Sequence, residues 1–405
     1  METKKETKYG WVLVAIVVLG TLTYQMLQYQ MSVVQETLQN MLSIDEVAYS
    51  NLFNSPMWPA VFCSIIFGLI VDKYGCKIAV ALCMLIAAVG GICHAFVSSY
   101  SLMYVTVLMT GFGATAINVA SGKLFSSWLP PKLFSVGMGC FLSASTVGQF
   151  VAQSTTNLFS SLTPAFWMSG ILCAVVFLAW AILGKNQRPA EGQDKVEGAP
   201  VGETLKVCLT SRNNWLCAVG LFFVLGGQVL CNAFIHGCKV AQGMDPVSAG
   251  LLVSTISAGN LCGSLFMPML AAKAGKDKPF ILVFAAVCAV GYAFAWRLSG
   301  FACYAAFFVM GLCSSALMPF FFSMPVKFRD IGPRYAGTAT GIVSTLELAG
   351  ALVLPKLFVP MCMTAEGLDF AKFFLIDGGV FVLVVIIALF LPETGWKAAE
   401  KPVKA

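Results

Sequence analysis

The chain has 405 residues, of which 58% are apolar and 11% charged, against about 25% charged residues in an ordinary soluble protein. Too few polar side chains are present to coat a water-soluble domain, which excludes a cytosolic enzyme, a nucleic-acid binder and a disordered protein. The net charge of +6 comes from basic residues scattered among loops, not gathered on one face that would hold a nucleic acid.

In chain order, the sequence opens on METKKETK and enters an apolar run at Trp11 that continues past twenty residues with no small-residue cleavage site. It reads as an uncleaved first span and not as a signal peptide. A span needs about 20 apolar residues, and twelve stretches qualify: 10–32, 47–70, 78–97, 101–125, 133–157, 163–184, 213–237, 247–271, 279–298, 301–325, 335–359 and 370–391. Lone strands cannot cross hydrocarbon, because their backbone groups would be unpaired, and the short alternating segments of a barrel are absent. The spans are expected to be helices, giving an all-α integral membrane protein.

Polar residues inside the spans are few and placed. Span one carries Thr21, Tyr24, Gln25, Gln28, Tyr29 and Ser32 at helical spacing. Span four offers Thr115 and Asn118. Gln228, Asn232 and His236 sit at i, i+4 and i+8 in span seven, and span ten offers Ser314, Ser315 and the run Phe320 to Phe322. Glu347 lies about twelve residues into span eleven, about 18 Å deep at a rise of about 1.5 Å per residue, and Asp377 lies about 10 Å into span twelve. Ionisable groups at such depth are costly and often functional; Glu347, with Asp377, is a candidate proton carrier. Lys239, Arg297, Lys356 and Glu36 are expected at the outer interface, where long side chains snorkel, and Lys123 at the inner one.

Between spans six and seven lies a polar stretch, Lys185 to Arg212, with nine charged residues and two prolines. It divides the chain into 1–184, a linker at 185–212, and 213–405. A short amphipathic helix is expected near Glu203–Leu209. With the N-terminus in the cytoplasm, 21 of the 25 Lys and Arg fall in or beside cytoplasmic segments, so both termini are expected to face the cytoplasm. Most of the 15 cysteines, Cys63, Cys83, Cys140, Cys173, Cys262 and Cys313 among them, lie in apolar runs without a CxxC pair. They read as packing residues. His94 and His236 are far apart, and no metal site or cofactor is expected.

The landmarks of the first half recur 200 residues later. Gln28 matches Gln228, Lys73 and Gly75 match Lys273 and Gly275, Gly111 matches Gly311, and Gly137 matches Gly337. One constant offset across several helices indicates a duplication.

The loop after span two reads Gly68-Leu-Ile-Val-Asp72-Lys73-Tyr-Gly75-Cys-Lys77. Gly68 allows close helix packing, Gly75 permits a tight turn, and Asp72 is placed to accept from the N-terminus of a neighbouring helix. This stretch resembles the G-x-x-x-D-[RK]-x-G-[RK]-[RK] signature of the major facilitator superfamily, and its echo at Pro268–Lys276 has Ala272 at the aspartate position. The resemblance implies two six-helix halves related by a pseudo-two-fold axis along the membrane normal. It also implies a substrate site near the midplane lined by spans one, four, seven and ten. Tyr24, Gln25, Gln28, Tyr29, Asn118, Gln228, Asn232 and His236 are then the expected substrate-binding residues. Gly68, Asp72, Lys73, Gly75 and Lys77 form the expected gating motif, with Asp72 latched near Gly332–Tyr335.

The segments Trp128–Gly139 and Phe328–Gly341 are similar to those of small-anion permeases of the oxalate/formate, cyanate and nitrate/nitrite types. The sequence departs from drug/proton antiporters, with Val107 where many carry an arginine in span four and no proline in Gly148–Gln153. No G-x-x-x-x-G-K-[ST] occurs, so pumping by ATP is not expected. The function implied is secondary transport of a small polar metabolite, first an organic anion, across the bilayer by alternating access with proton coupling. A chain of this family commonly works alone. Efflux of amphipathic or drug-like compounds is the alternative; a membrane enzyme would show clustered catalytic side chains.

Overall fold

A computed structural model describes residues 2–159, 161–186, 200–364 and 367–399; part of the expected linker, 187–199, lies outside the described residues. The helices are α1 (Glu2–Val33), α2 (Gln35–Leu42), α3 (Glu46–Asn54), α4 (Trp58–Tyr74), α5 (Cys76–Cys93), α6 (Tyr100–Trp128), α7 (Pro131–Thr155) and α8 (Leu162–Leu183). They continue with α9 (Val201–Thr210), α10 (Arg212–Ala241), α11 (Pro246–Ala274), α12 (Lys278–Phe294), α13 (Gly300–Ser323), α14 (Gly332–Cys362), α15 (Phe370–Phe390) and α16 (Trp396–Ala399). A two-residue strand at Met363–Thr364 pairs antiparallel with Gly367–Leu368. All twelve expected spans are present as helices long and apolar enough to cross a membrane, and α9 is the amphipathic linker helix.

Local sequence sets the helix ends. Ser211 and Asp245 accept from the first-turn N–H groups of α10 and α11, and Asp369 does so for α15, satisfying donors that a helix cannot pair internally. Gly75 and Gly275 hold φ of +89° and +75° in the turns after α4 and α11, a conformation that side chains resist.

Two compact units divide the chain. Unit 1 comprises Met1–Pro130, Cys140–Cys208 and Ile331–Ser344; unit 2 comprises Pro131–Gly139, Leu209–Asp330 and Thr345–Ala405. Three helices, α7, α9 and α14, are thus shared out between the units. Inside unit 1, α2 and α3 bury Leu38, Leu42 and Leu52 against Met31, Met103, Val107 and Phe166. In unit 2, Tyr292 stacks on Phe381 with ring centroids 4.5 Å apart.

The two units repeat each other's closest helix contacts. Gly111 of α6 meets the backbone of Pro56, and Gly311 of α13 meets that of Ile256, 200 residues on in both partners. Gly341 of α14 approaches the Ser64 carbonyl of α4 in unit 1; Gly139 of α7 approaches the Ser264 carbonyl of α11 in unit 2. Gly148 likewise meets the Leu22 carbonyl, and Gly350 that of Phe222. The fifth and eleventh spans are therefore related by 202 residues, not 200. Gly137 and Gly337 are not structural equivalents, because backbone approach fixes the register and two residues have been gained ahead of α14.

Candidate functional site

Ser64, Gly68 and Asp72 recur every fourth residue along α4 and so share one face. That face meets the start of α14. A Cβ at Gly68 would lie 2.5 Å from the Thr338 Cα, and one at Gly337 would lie 2.9 Å from the Gly68 carbonyl oxygen. Small residues let the two backbones come this close. The approach delivers the Asp72 carboxylate to backbone donors: Gly337 N–H donates to Oδ1 at 3.1 Å and Thr338 N–H to Oδ2 at 2.8 Å. The Thr338 hydroxyl donates to Oδ2 at 2.7 Å. Asp72 thus meets α14 one turn further into the helix than the expected Gly332–Tyr335.

Lys123 completes it. Its Nζ donates to Asp72 Oδ1 at 2.6 Å and to the Arg334 carbonyl at 3.2 Å. The side chains of both ions are nearly inaccessible, at 3% and 1%. Lys123 was expected to snorkel; it is instead buried, because a carboxylate and a helix carbonyl solvate it better than the interface would. A charged pair this deep is stable only while both partners and their hydrogen bonds are in place. Beside it, α9 is fastened to α14, with the Tyr335 hydroxyl donating to Glu203.

The rest of the motif shapes the turn. The Asn186 side chain sits against Gly75 and accepts from Lys77 N–H at 2.8 Å. Trp180 Nε1 donates to the Lys77 carbonyl at 3.0 Å, and Lys185 Nζ lies 4.1 Å from the Tyr9 ring centroid. Lys73 is exposed beside Tyr74.

Unit 2 has a counterpart that sequence reasoning missed. Ala272 occupies the signature aspartate position, but Asp277, five residues on, is buried and takes Lys327 Nζ at 2.7 Å and the Thr394 hydroxyl at 2.9 Å on Oδ2. Lys327 Nζ also reaches the Ser135 hydroxyl of α7 at 3.3 Å. The segment after α15 holds the turn: Glu393 Oε1 accepts from the N–H groups of Asp277 at 2.6 Å and Gly395 at 2.8 Å, while Trp396 Nε1 donates to the Ala272 carbonyl at 2.7 Å. The signal was available in the spacing, since 51 residues separate Asp72 from Lys123 and 50 separate Asp277 from Lys327.

The expected substrate-binding residues divide by environment. In α1, the Tyr24 ring lies over Gly113 of α6, and its buried hydroxyl has no partner among the described residues. Gln28 Nε2 donates to the Phe53 carbonyl at 3.0 Å, and the Tyr29 ring packs edge-on against Phe53. Gln25, half-buried, lies where α1 crosses Gly148 of α7. In α6, Asn118 Nδ2 donates to the Ser344 hydroxyl at 3.2 Å. In α10, Gln228 is buried and its Nε2 has no partner among the described residues, whereas Asn232 and His236 are exposed.

Glu347 of α14 and Asp377 of α15 are both buried, at 7% and 0% exposure. Asp377 abuts α10 at Gly227, and neither of its carboxyl oxygens has a partner among the described residues. Sequence reasoning gave no role to His94, which is buried with no partner for Nε2 among the described residues, nor to Asn214 and Asn260; a lone amide or imidazole in an apolar run carries no positional signal. Lys239 does not snorkel. It is buried at the end of α10, its Nζ donating to the Trp296 and Leu298 carbonyls at 2.6 Å and to Gln242 Oε1 at 3.0 Å. Arg297 and Lys356 are exposed.

Twelve apolar helices, duplicated contacts and a carboxylate that clamps a helix start through its backbone define a polytopic membrane carrier fold. The family model described as Major Facilitator Superfamily matches residues 13–355, and the chain belongs to that superfamily. Among curated relatives, it is 26% identical to the hexuronate transporter of Escherichia coli (strain K12) over 181 residues, 44% of this chain and 42% of that one. It is 24% identical to the galacturonate transporter of Dickeya chrysanthemi over 181 residues, 44% of this chain and 52% of that one. The chain thus matches about half the length of these relatives. Its fold is similar to that of FucP, the E. coli fucose:proton symporter, in the outward conformation, with a TM-score of 0.75 and 15% identity over 94% of this chain and 99% of that one.

Proposed function

We propose that the chain is a secondary transporter that moves a small sugar acid of the hexuronate kind, unchanged, by alternating access coupled to protons. The observation that carries this reading is the likeness to hexuronate and galacturonate transporters within an established transporter family. In this reading both termini face the cytoplasm of a bacterial cell, which the excess of Lys and Arg in the segments on that side supports, and one chain is the working unit.

In this reading the polar side chains of the spans, Tyr24, Gln25, Gln28, Tyr29, Asn118, Gln228, Asn232 and His236, bind the solute through amide, hydroxyl and imidazole groups. Glu347 and Asp377 take up and release the coupling proton, since a carboxyl that is dry in one state and wet in another changes its proton affinity. Asp72 and Lys123 hold the cytoplasmic start of α14 and must let it go before that side opens. Gly68, Gly75, Lys73 and Lys77 set the approach and the turn that make this clamp.

The test is counterflow in proteoliposomes loaded with galacturonate, glucuronate, oxalate, neutral hexoses or cationic dyes. Labelled uronates are expected to exchange against uronates. Exchange of the dyes alone overturns the reading in favour of efflux. Under an imposed proton gradient, Glu347→Gln is expected to cut uphill accumulation at least tenfold while leaving counterflow intact; unaltered accumulation removes Glu347 as the carrier.

A further inference from the structure

Within unit 1, α6 and α14 are joined at two levels. The lower is the ionic clamp of Lys123, Asp72, Gly337 and Thr338. The upper is the single hydrogen bond from Asn118 Nδ2 to the Ser344 hydroxyl at 3.2 Å. Five residues separate Lys123 from Asn118 on one helix, and six separate Thr338 from Ser344 on the other. The levels are therefore about 8–9 Å apart at about 1.5 Å per residue.

The two levels differ in what they leave unsatisfied. Both oxygens of Asp72 are taken. Asn118 Oδ1 is inaccessible and has no partner among the described residues. A buried acceptor without a donor costs about 1–3 kcal/mol, so a side chain kept in that state is one whose donor comes from elsewhere. The neighbouring hydroxyls of α6 do not supply it. Thr110 donates to the Val107 carbonyl at 2.7 Å, Thr115 to that of Gly111 at 2.7 Å, and Ser121 to that of Asn118 itself at 2.8 Å. Ser344 is fully buried, which fixes one edge of the carboxamide and so aims the other. Asn118 as a whole is only half-buried, while its Oδ1 is closed off in this conformation.

An amide oxygen accepts and does not donate. It cannot receive a carboxylate; of the groups a sugar acid carries, it receives a hydroxyl. We propose that Asn118 is a specificity-determining residue that accepts a hydrogen bond from a hydroxyl of the transported acid, with Ser344 as its positioning residue. This rests on the transport reading above and deepens it, for it assigns Asn118 to the hydroxyl-bearing edge of the solute and not to its acid end. A site built around such a bond rejects an analogue lacking the hydroxyl, because the buried acceptor is then left unpaired.

The experiment is counterflow of D-galacturonate and its singly deoxygenated analogues by the full-length chain in proteoliposomes. For the wild type, at least one deoxy analogue is expected to lose about tenfold or more in kcat/KM, the worth of one hydrogen bond of about 1.4 kcal/mol. Asn118→Leu is expected to bring that ratio close to one by lowering galacturonate to the level of the analogue. Asn118→Asp keeps an acceptor at the same place and should keep the ratio, which separates recognition from damage to the fold. Ser344→Ala should reduce the ratio in part, and Ser344→Thr should restore it. An unchanged ratio in Asn118→Leu overturns the assignment while leaving uronate transport standing. A wild type that exchanges no uronate overturns the transport reading itself, and this inference with it.

Discussion

Unit 1 and unit 2 each hold a lysine–carboxylate pair beside the turn after an equivalent helix, but they hold different things with it. In unit 1, Asp72 grips α14 through the backbone N–H groups of Gly337 and Thr338 and is sealed from water with Lys123. In unit 2, Asp277 grips no helix start. It binds Lys327 and Thr394, and through Lys327 it reaches the Ser135 hydroxyl at the start of α7 at 3.3 Å, where Lys132 Nζ also lies 4.3 Å from the Trp396 ring centroid. The Lys327 side chain is 18% exposed against 3% for Lys123. Backbone donors survive every substitution except proline, and a sealed ion pair is costly to open halfway. Asp72 therefore holds the start of α14 more tightly than Asp277 holds the start of α7.

That inequality can be broken experimentally, and the largest effect belongs to Asp72. Asp72→Ala leaves Lys123 buried without a counter-charge, a loss of about 3–5 kcal/mol. It should give the greatest drop in melting temperature of the purified protein, and Lys123→Met in the same background should recover much of it. Asp277→Ala strips Lys327 of its partner where water can reach, so the expected loss is about 1.5–3 kcal/mol. A drop equal to that of Asp72→Ala would show the two clamps to be equally strong. Ser135→Ala removes a single long hydrogen bond and should cost about 0.5–1 kcal/mol. A larger loss in thermal unfolding would mean that α7 is held more firmly than its contacts indicate.

The twelve spans were legible because hydrocarbon thickness is a length requirement that composition alone reveals. Asp72 was legible because its motif surrounds it. The partner lysine was not: Lys123 lies near the end of a span, where a lysine ordinarily reaches for the interface, and only tertiary packing brings a carboxylate to it. Lys239 misled in the same way, since the carbonyls of Trp296 and Leu298 that solvate it come from a turn almost sixty residues away. Asp277 was hidden by looking for the carboxylate at the signature position, where Ala272 stands. The Gly137–Gly337 pairing failed because letter identity at a fixed offset cannot register a two-residue gain between α13 and α14. Of the polar residues singled out in the spans, their helical spacing was readable but their environment was not. Gln228 is buried while Asn232, one turn on, is exposed.

Glu393 stands only three residues beyond the end of α15, yet it accepts from the backbone N–H of Asp277, and the Thr394 hydroxyl donates to the Asp277 carboxylate. Engineering of the tail must respect this. A shortened version ending at Leu391 would strip both groups from the turn after α11 and slacken Lys327 as well, whereas an affinity handle fused beyond Ala399 leaves the whole clasp intact.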